Sequence, residues 1–137
     1  MDWVVVVDDD VTNLKVAGMI LSKHDMRVTA LKSGTALLEY VKTNRPDLIL
    51  LDVNMPKMDG FETMELLKAQ DSGEDRIPVI FLTADEDIDT EIRGVQLGAM
   101  DFVKKPFVAE TLVLRVRHTI ELVRLRRLAR LSSGRAE

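Results

Sequence analysis

Three aspartates, a threonine and a lysine end the short apolar runs of this sequence, and together they offer the chemistry of a divalent cation and a phosphoryl group. Asp8 and Asp9 follow VVVV (4–7), and Asp52 follows LILL (48–51) and opens the turn VNMPKMDG. Thr83 closes VIFLT, and Lys105 lies in DFVKKPF. Carboxylates gathered out of water repel one another and resist ionising unless a cation neutralises them. An oxygen-only set suits Mg2+, which accepts one or two carboxylates and keeps room for waters and phosphate. Asp52 has the character of a nucleophile toward phosphorus, giving an aspartyl phosphate. Lys105 would pair with one phosphoryl oxygen, and the Thr83 hydroxyl would donate to another.

Such a site needs elements that bring five distant residues to one place. Runs that are apolar on both faces read as buried strands, and a polar residue at the carboxyl end of such a strand lies on the rim where open α/β folds bind ligands. Strands are expected at Asp2–Val7, Arg27–Leu31, Leu48–Leu51, Pro78–Leu82 and Asp101–Val103. Helices are expected near Thr12–Lys23, Gly34–Thr43, Gly60–Ala69 and Asp89–Leu97, with a fifth from about Val108 to Leu131. Their apolar residues recur at three and four, as Leu14, Ala17, Leu21 do. Strict alternation predicts an α/β fold, a five-stranded parallel sheet with helices on both faces; five such units in this length fit the flavodoxin-like order 2-1-3-4-5, which alternation alone does not fix. The loop Gln70–Arg76 (QDSGEDR) reads as polar, acidic and open to motion.

Composition narrows the classes. The 137 residues suffice for one domain with a real core. There is no cysteine, which excludes disulfides, thiolate zinc and a cysteine nucleophile. The start MDWVVVVDDD has neither a basic region nor an apolar run long enough for a signal or a membrane span, so a cytoplasmic protein is expected. Net charge is −4, but residues 1–110 hold 12 Lys and Arg against 21 Asp and Glu, while residues 111–137 hold 7 against 2. An acidic body thus carries a basic tail.

Taken singly, each site residue has a plainer role: aspartates and a threonine as turn or cap formers, a lysine before proline as a solvated charge. Their joint order, each at a strand end, is what carries the reading. From about residue 2 to 122 the chain resembles the receiver domain of two-component response regulators, of which the single-domain chemotaxis regulators are examples. DVNMPKMDG is similar to that family's D-x-x-M-P-x-M-D-G. The resemblance implies Mg2+ on Asp8, Asp9, the phosphoacceptor Asp52 and the backbone carbonyl of Asn54. It implies a switch hydroxyl at Thr83, a lysine at Lys105 rather than Lys104, and a cis peptide between Lys105 and Pro106, the bond class where cis is least costly. The switch aromatic falls on Phe102, where tyrosine is frequent, and the tuning of dephosphorylation falls on Asn54 and Asp85. A sensor histidine kinase, a phosphotransfer protein or a small phosphodonor would supply the phosphoryl group. The face built from the fourth helix, fifth strand and fifth helix would then change shape.

The fifth helical pattern outlasts the domain. Residues 1–122 read as the receiver, and 123–137 as a helical extension with a disordered end, SSGRAE. Val113, Val116, Ile120 and Val123 read as core; Leu122, Leu125 and Leu128 continue on a shifted face among Arg115, Arg117, Arg124, Arg126, Arg127 and Arg130. The extension reads as a solvated end, as a coiled-coil-like stalk toward a second copy or an output domain, or as a nucleic-acid contact, for which no recognition motif is present. The output would be a cyclase, a phosphodiesterase, a kinase or a DNA-binding domain, unless the receiver works by protein contact alone. Arg93, Asp101 and Arg115 occupy places where some receivers cross-pair between subunits. The competing reading is an enzyme: VVVVDDDVT also fits the start of a haloacid-dehalogenase-like phosphatase, with Asp8 as nucleophile and Asp10 as acid/base. That reading leaves Asp52 and MPKMDG unexplained and lacks a later acidic motif.

Overall fold

Five short strands, Trp3–Val7 (β1), Arg27–Leu31 (β2), Leu48–Asp52 (β3), Val79–Thr83 (β4) and Asp101–Lys104 (β5), form one parallel sheet in the order β2-β1-β3-β4-β5. The helices are Val11–Ser22 (α1), Gly34–Tyr40 (α2), Gly60–Gln70 (α3), Ile88–Gln96 (α4) and Ala109–Ala136 (α5). The computed structural model describes residues 1–71, 73–84 and 88–136, the last four of these by backbone only. Element order is the one the alternating pattern predicts, and the strand order is the flavodoxin-like one expected for five such units.

The all-apolar strands are buried because both faces of the sheet are covered. Val4, Val6, Leu48, Leu50, Ile80 and Leu82 pack against Leu14, Leu21, Leu112, Val116 and Ile120 of α1 and α5. The alternate set, Val5, Val7, Ile49, Leu51 and Phe81, packs on the other side against Leu37, Phe61, Met64 and Leu67 of α2 and α3. Period-two alternation thus divides one apolar run between two cores. Side-chain caps start the helices beside the strand ends. Asp10 Oδ1 accepts from the Thr12 amide at 2.8 Å, and Ser33 Oγ from the Ala36 amide at 3.0 Å. Asp59 and Glu62 form a reciprocal capping box at α3. The second helix stops at Tyr40, earlier than its pattern suggests: the next turn tightens, the Lys42 amide donating to the Glu39 carbonyl and the Thr43 amide to the Tyr40 carbonyl, and the Asn44 side chain also donates to the Tyr40 carbonyl.

The fifth helix differs most from expectation. It runs 28 residues, about 42 Å at the α-helical rise. Its backbone continues to Ala136, through residues that sequence alone assigns to a disordered end. Antiparallel to the strands, it passes the amino ends of the sheet, where its arginines meet acids. Arg124 pairs with Asp2 at 2.6 Å, Arg127 with Asp75 at 3.4 Å, and Arg130 with Glu74 at 3.0 Å. The acidic loop before β4 is therefore tied down, since Arg45 also pairs with Asp71 at 3.2 Å and donates to the Asp75 carbonyl. Arginines 124, 127 and 130 share one helix face, and a purely hydrophobic reading of the tail cannot register that face.

These ion pairs are exposed and individually weak, whereas Leu112 is fully buried. In urea unfolding, Leu112→Ala should lower stability by about 2–5 kcal/mol, and Arg130→Ala by less than about 1 kcal/mol.

Candidate functional site

The carboxyl ends of β1, β3, β4 and β5 deliver the polar residues to one rim. Asp8 follows β1, Asp52 ends β3 and Thr83 ends β4; all three are buried. One carboxylate oxygen from each of Asp8, Asp9 and Asp52 lies within 4.8 Å of the others. Lys105, just past β5, places its Nζ 2.9 Å from Asp8 Oδ2 and donates to Asp52 Oδ1 at 2.9 Å. Thr83 and Lys105 are joined by backbone, the Lys105 amide donating to the Thr83 carbonyl at 3.0 Å. The Lys105–Pro106 peptide is cis. The loop after β3 folds back through Lys57 at φ 68 and a Gly60 amide donating to the Val53 carbonyl at 2.8 Å.

Charge is unbalanced there. Three carboxylates face one ammonium, a deficit equal to one divalent cation. Burial pushes the Asp52 carboxyl up to about 6; the Lys105 hydrogen bond works against this, and the Asp8 charge adds to it. Burial also opposes the charged form of Lys105, yet the close contacts and charges of Asp8 and Asp52 outweigh it and raise the ammonium above its ordinary value. Asp8 Oδ1 accepts from the Asp10 amide at 2.9 Å. Asp8 Oδ2, by contrast, is buried and close to Lys105 but lacks a directed hydrogen bond. A hard oxygen set with an undersatisfied buried oxygen and a two-charge deficit fits Mg2+.

Residues 4–117 match the sequence model of the family described as the response regulator receiver domain. This chain belongs to that family. The receiver is 37% identical over 114 residues to the DNA-binding response regulator MtrA of Mycobacterium tuberculosis (strain ATCC 25618 / H37Rv), covering 83% of this chain and 48% of MtrA. It spans about half the length of the curated relatives it matches. Among solved structures it is similar to the Vibrio cholerae chemotaxis protein CheY4, with TM-score 0.80, 30% identity, and coverage of 86% of this chain and 98% of that one. It is also similar to NtrX from Brucella abortus, with TM-score 0.85 and 27% identity, covering 94% of this chain and 29% of that longer one.

The competing phosphatase reading fails on Asp10 as well as on family. The Asp10 carboxylate caps α1, as the sequence D-V-T-N at a helix start signals, so it is committed to the backbone. Within the receiver, Asn54 lies two residues beyond Asp52, its amide 3.3 Å from Asp52 Oδ1 and its side chain exposed. Asp85 lies outside the described residues. Arg115 pairs with Asp101 at 3.0 Å within the chain, and the Arg93 guanidinium sits 4.5 Å above the Phe61 ring. These three residues thus have intramolecular partners.

Two glycines escaped the sequence reading. A Cβ on Gly60 would meet the Asp52 carbonyl oxygen at 2.4 Å, so only glycine lets α3 start against the end of β3. A Cβ on Gly94, the one buried residue of α4, would lie 2.3 Å from Phe102 Cζ. The half-buried Phe102 ring rests there against Phe81, whose centroid is 5.8 Å away, and Phe81 in turn meets Phe61 edge-on at 5.2 Å. Neither close approach has a sequence signature beyond the glycine itself.

The raised Asp52 value sets a pH dependence. Below about pH 3.8 the carboxyl is protonated in both folded and unfolded chains; above it the folded state alone keeps the proton, and that stability is lost as pH rises through about 6. In chelator-treated protein, Asp52→Asn should therefore raise unfolding free energy at pH 7.5 by on the order of 1–3 kcal/mol, and by much less at pH 4.5, as urea midpoints would report. Gly94→Ala should displace the flexible Phe102 ring rather than unfold the chain, seen in NMR as loss of Phe81–Phe102 ring contacts with the remaining core unchanged.

Proposed function

We propose that the receiver takes a phosphoryl group onto Asp52 from a phosphohistidine of a sensor histidine kinase or phosphotransfer protein, or from a small phosphodonor. The observation that carries this is the single Lys105 ammonium lying 2.9 Å from both Asp8 and Asp52 at the rim of the sheet. Asp8, Asp9, Asp52 and the Asn54 backbone carbonyl would hold Mg2+. Bound there, the ion would offset the charge of the phosphoryl oxygens.

The rest is the work of the chain's own residues. Lys105 and the Asn54 amide both engage Asp52 Oδ1, which leaves Oδ2 as the attacking oxygen. The bond from Oδ2 to phosphorus forms as the bond from phosphorus to the donor breaks, and the donor leaves with that electron pair. Lys105 then turns from the carboxylates to a phosphoryl oxygen, and the Thr83 hydroxyl donates to another. Thr83 moving toward the phosphoryl group opens space beside β4, and Phe102 follows it inward. Dephosphorylation would also be the receiver's own: water attacks phosphorus as the bond from phosphorus to Asp52 Oδ2 breaks, the carboxylate leaves with that electron pair and inorganic phosphate departs. The identities of Asn54 and Asp85 would tune the rate. No other substrate is turned over.

The output face comprises α4, β5 and α5. Ile88, Ile92 and Val95 are exposed on α4, so a partner or a second copy has apolar surface to cover there. In a homodimer through this face, Asp101 and Arg115 would exchange their pair for one between subunits, with Arg93 beside it; α5 offers a second route to a dimer. We assign residues 1–122 to the receiver and 123–137 to a helical extension toward an output domain of the kind that MtrA's name implies. Nucleic acid is not a ligand of this chain itself on this reading, because three of the tail arginines are paired with its own acids. Among the described residues no helix is long and apolar enough to cross a membrane. Action in the cytoplasm goes with the kinase partnership.

Acetyl phosphate with Mg2+ should add one phosphoryl group to the wild type by intact mass and none to Asp52→Asn. Labelling that persists in Asp52→Asn and vanishes in Asp8→Asn would transfer the nucleophile to Asp8 and overturn the reading. Sedimentation of the labelled protein decides the dimer, a monomer at high concentration removing it.

A further inference from the structure

At the end of the molecule remote from Asp52, a cavity of about 450 Å3 opens between α3, the loop before β4, the turn before β5 and the extended half of α5. That volume is in the range of sites for small molecules. β4 separates the two places: Pro78 lines the cavity and Thr83 ends the strand, roughly 17 Å apart for five extended residues. The cavity therefore belongs to none of the phosphoacceptor chemistry.

Its walls divide by chemistry. Met64, Met100 and Val123 supply apolar surface, and methionine side chains adapt to the shape of what they touch. Arg127 and Arg130 also line it, but they are held by Asp75 and Glu74. Arg76 and Arg126 have no carboxylate partner among the described residues; Arg126 reaches only the Met100 sulfur, at 4.0 Å. Two guanidiniums without a carboxylate partner among the described residues, beside an apolar floor whose one lining carboxylate, Glu74, is held by Arg130, are unusual on a body whose first 110 residues carry 12 basic against 21 acidic side chains. A guanidinium presents a planar fork of donors that matches carboxylate, phosphate or sulfonate oxygens.

We propose that this cavity binds a small amphiphilic anion, its flat apolar body against Met64, Met100 and Val123 and its anionic group shared by Arg76 and Arg126. The occupant would touch the α5 extension, α3 and the loop before β4 at once. Its binding energy would then add to the ion pairs that hold the long helix to the body, stabilising the docked arrangement by mass action.

The probe is 1-anilinonaphthalene-8-sulfonate, titrated into the full chain labelled with 13C at the methionine methyls. N-phenyl-1-naphthylamine, which lacks only the sulfonate, is the neutral control. The expected result is a saturable shift of the Met64 and Met100 methyls, with those of Met19, Met26 and Met55 unmoved. Affinity should fall at least ten-fold for the neutral analogue and for Arg76→Gln/Arg126→Gln, a variant whose acetyl phosphate labelling stays intact. Absence of saturation at Met64 and Met100, shifts led by the other methionines, or equal affinity in the double variant would each overturn the proposal. Because labelling at Asp52 is read separately, failure here leaves the phosphoacceptor reading standing.

Discussion

Two carboxylates buried at the rim of a parallel sheet and one lysine lying between them form the interaction on which the rest of this structure depends. Asp8 and Asp52 are almost wholly removed from water, and burial resists the charged form of Asp52. Lys105 offsets part of their charge but not all of it, and Asp9 adds a third negative group at the mouth. The site is thus poised between too much negative charge and a cation that would correct it. Central strands that are apolar and covered on both faces hold it in that condition, because close packing leaves them little freedom to let the carboxylates drift apart.

Rigidity at the rim contrasts with the light anchoring of α4. The central strands β1, β3 and β4 are buried at every apolar position but Trp3, whereas α4 buries only Gly94 and leaves Ile88, Ile92 and Val95 in solvent. An element with so little buried surface is the natural one to move. The aromatic chain from Phe61 through Phe81 to Phe102 runs from the start of α3, beside the end of β3, to the underside of α4. Arg93 closes the loop by resting on Phe61 from the α4 side. Contiguous ring contacts thus join the start of α3 to the underside of α4.

The opposite pole is organised by charge rather than by packing. Arg124, Arg127 and Arg130, one helical turn apart, bind acids from the starts of β1 and β3 and from the loop before β4. Exposed pairs of this kind are screened by salt, so the hold of the tail on the body is softer than the core beneath α5. A long helix that is firmly packed in its first half and electrostatically tethered in its second half can report on the body while remaining adjustable.

Much of this was legible in the chain alone. Runs such as VVVV and LILL can only be strands covered on both faces, and strict alternation with helices leaves a parallel sheet whose carboxyl ends share one rim. Asp8, Asp9, Asp52, Thr83 and Lys105 were placed by that logic, since position at a strand end is a property of local sequence. Other features depend on distance across the fold, which no local pattern encodes. The glycines at 60 and 94 matter because of a carbonyl and a ring contributed by other elements, and the arginines of α5 matter because acids more than fifty residues away lie in their path. The upward shift of Asp52 likewise needed the tertiary structure, because burial and a neighbouring charge exist only once the sheet has closed around them. Sequence determined which residues could do the chemistry; folding decided how strongly each is pressed to do it.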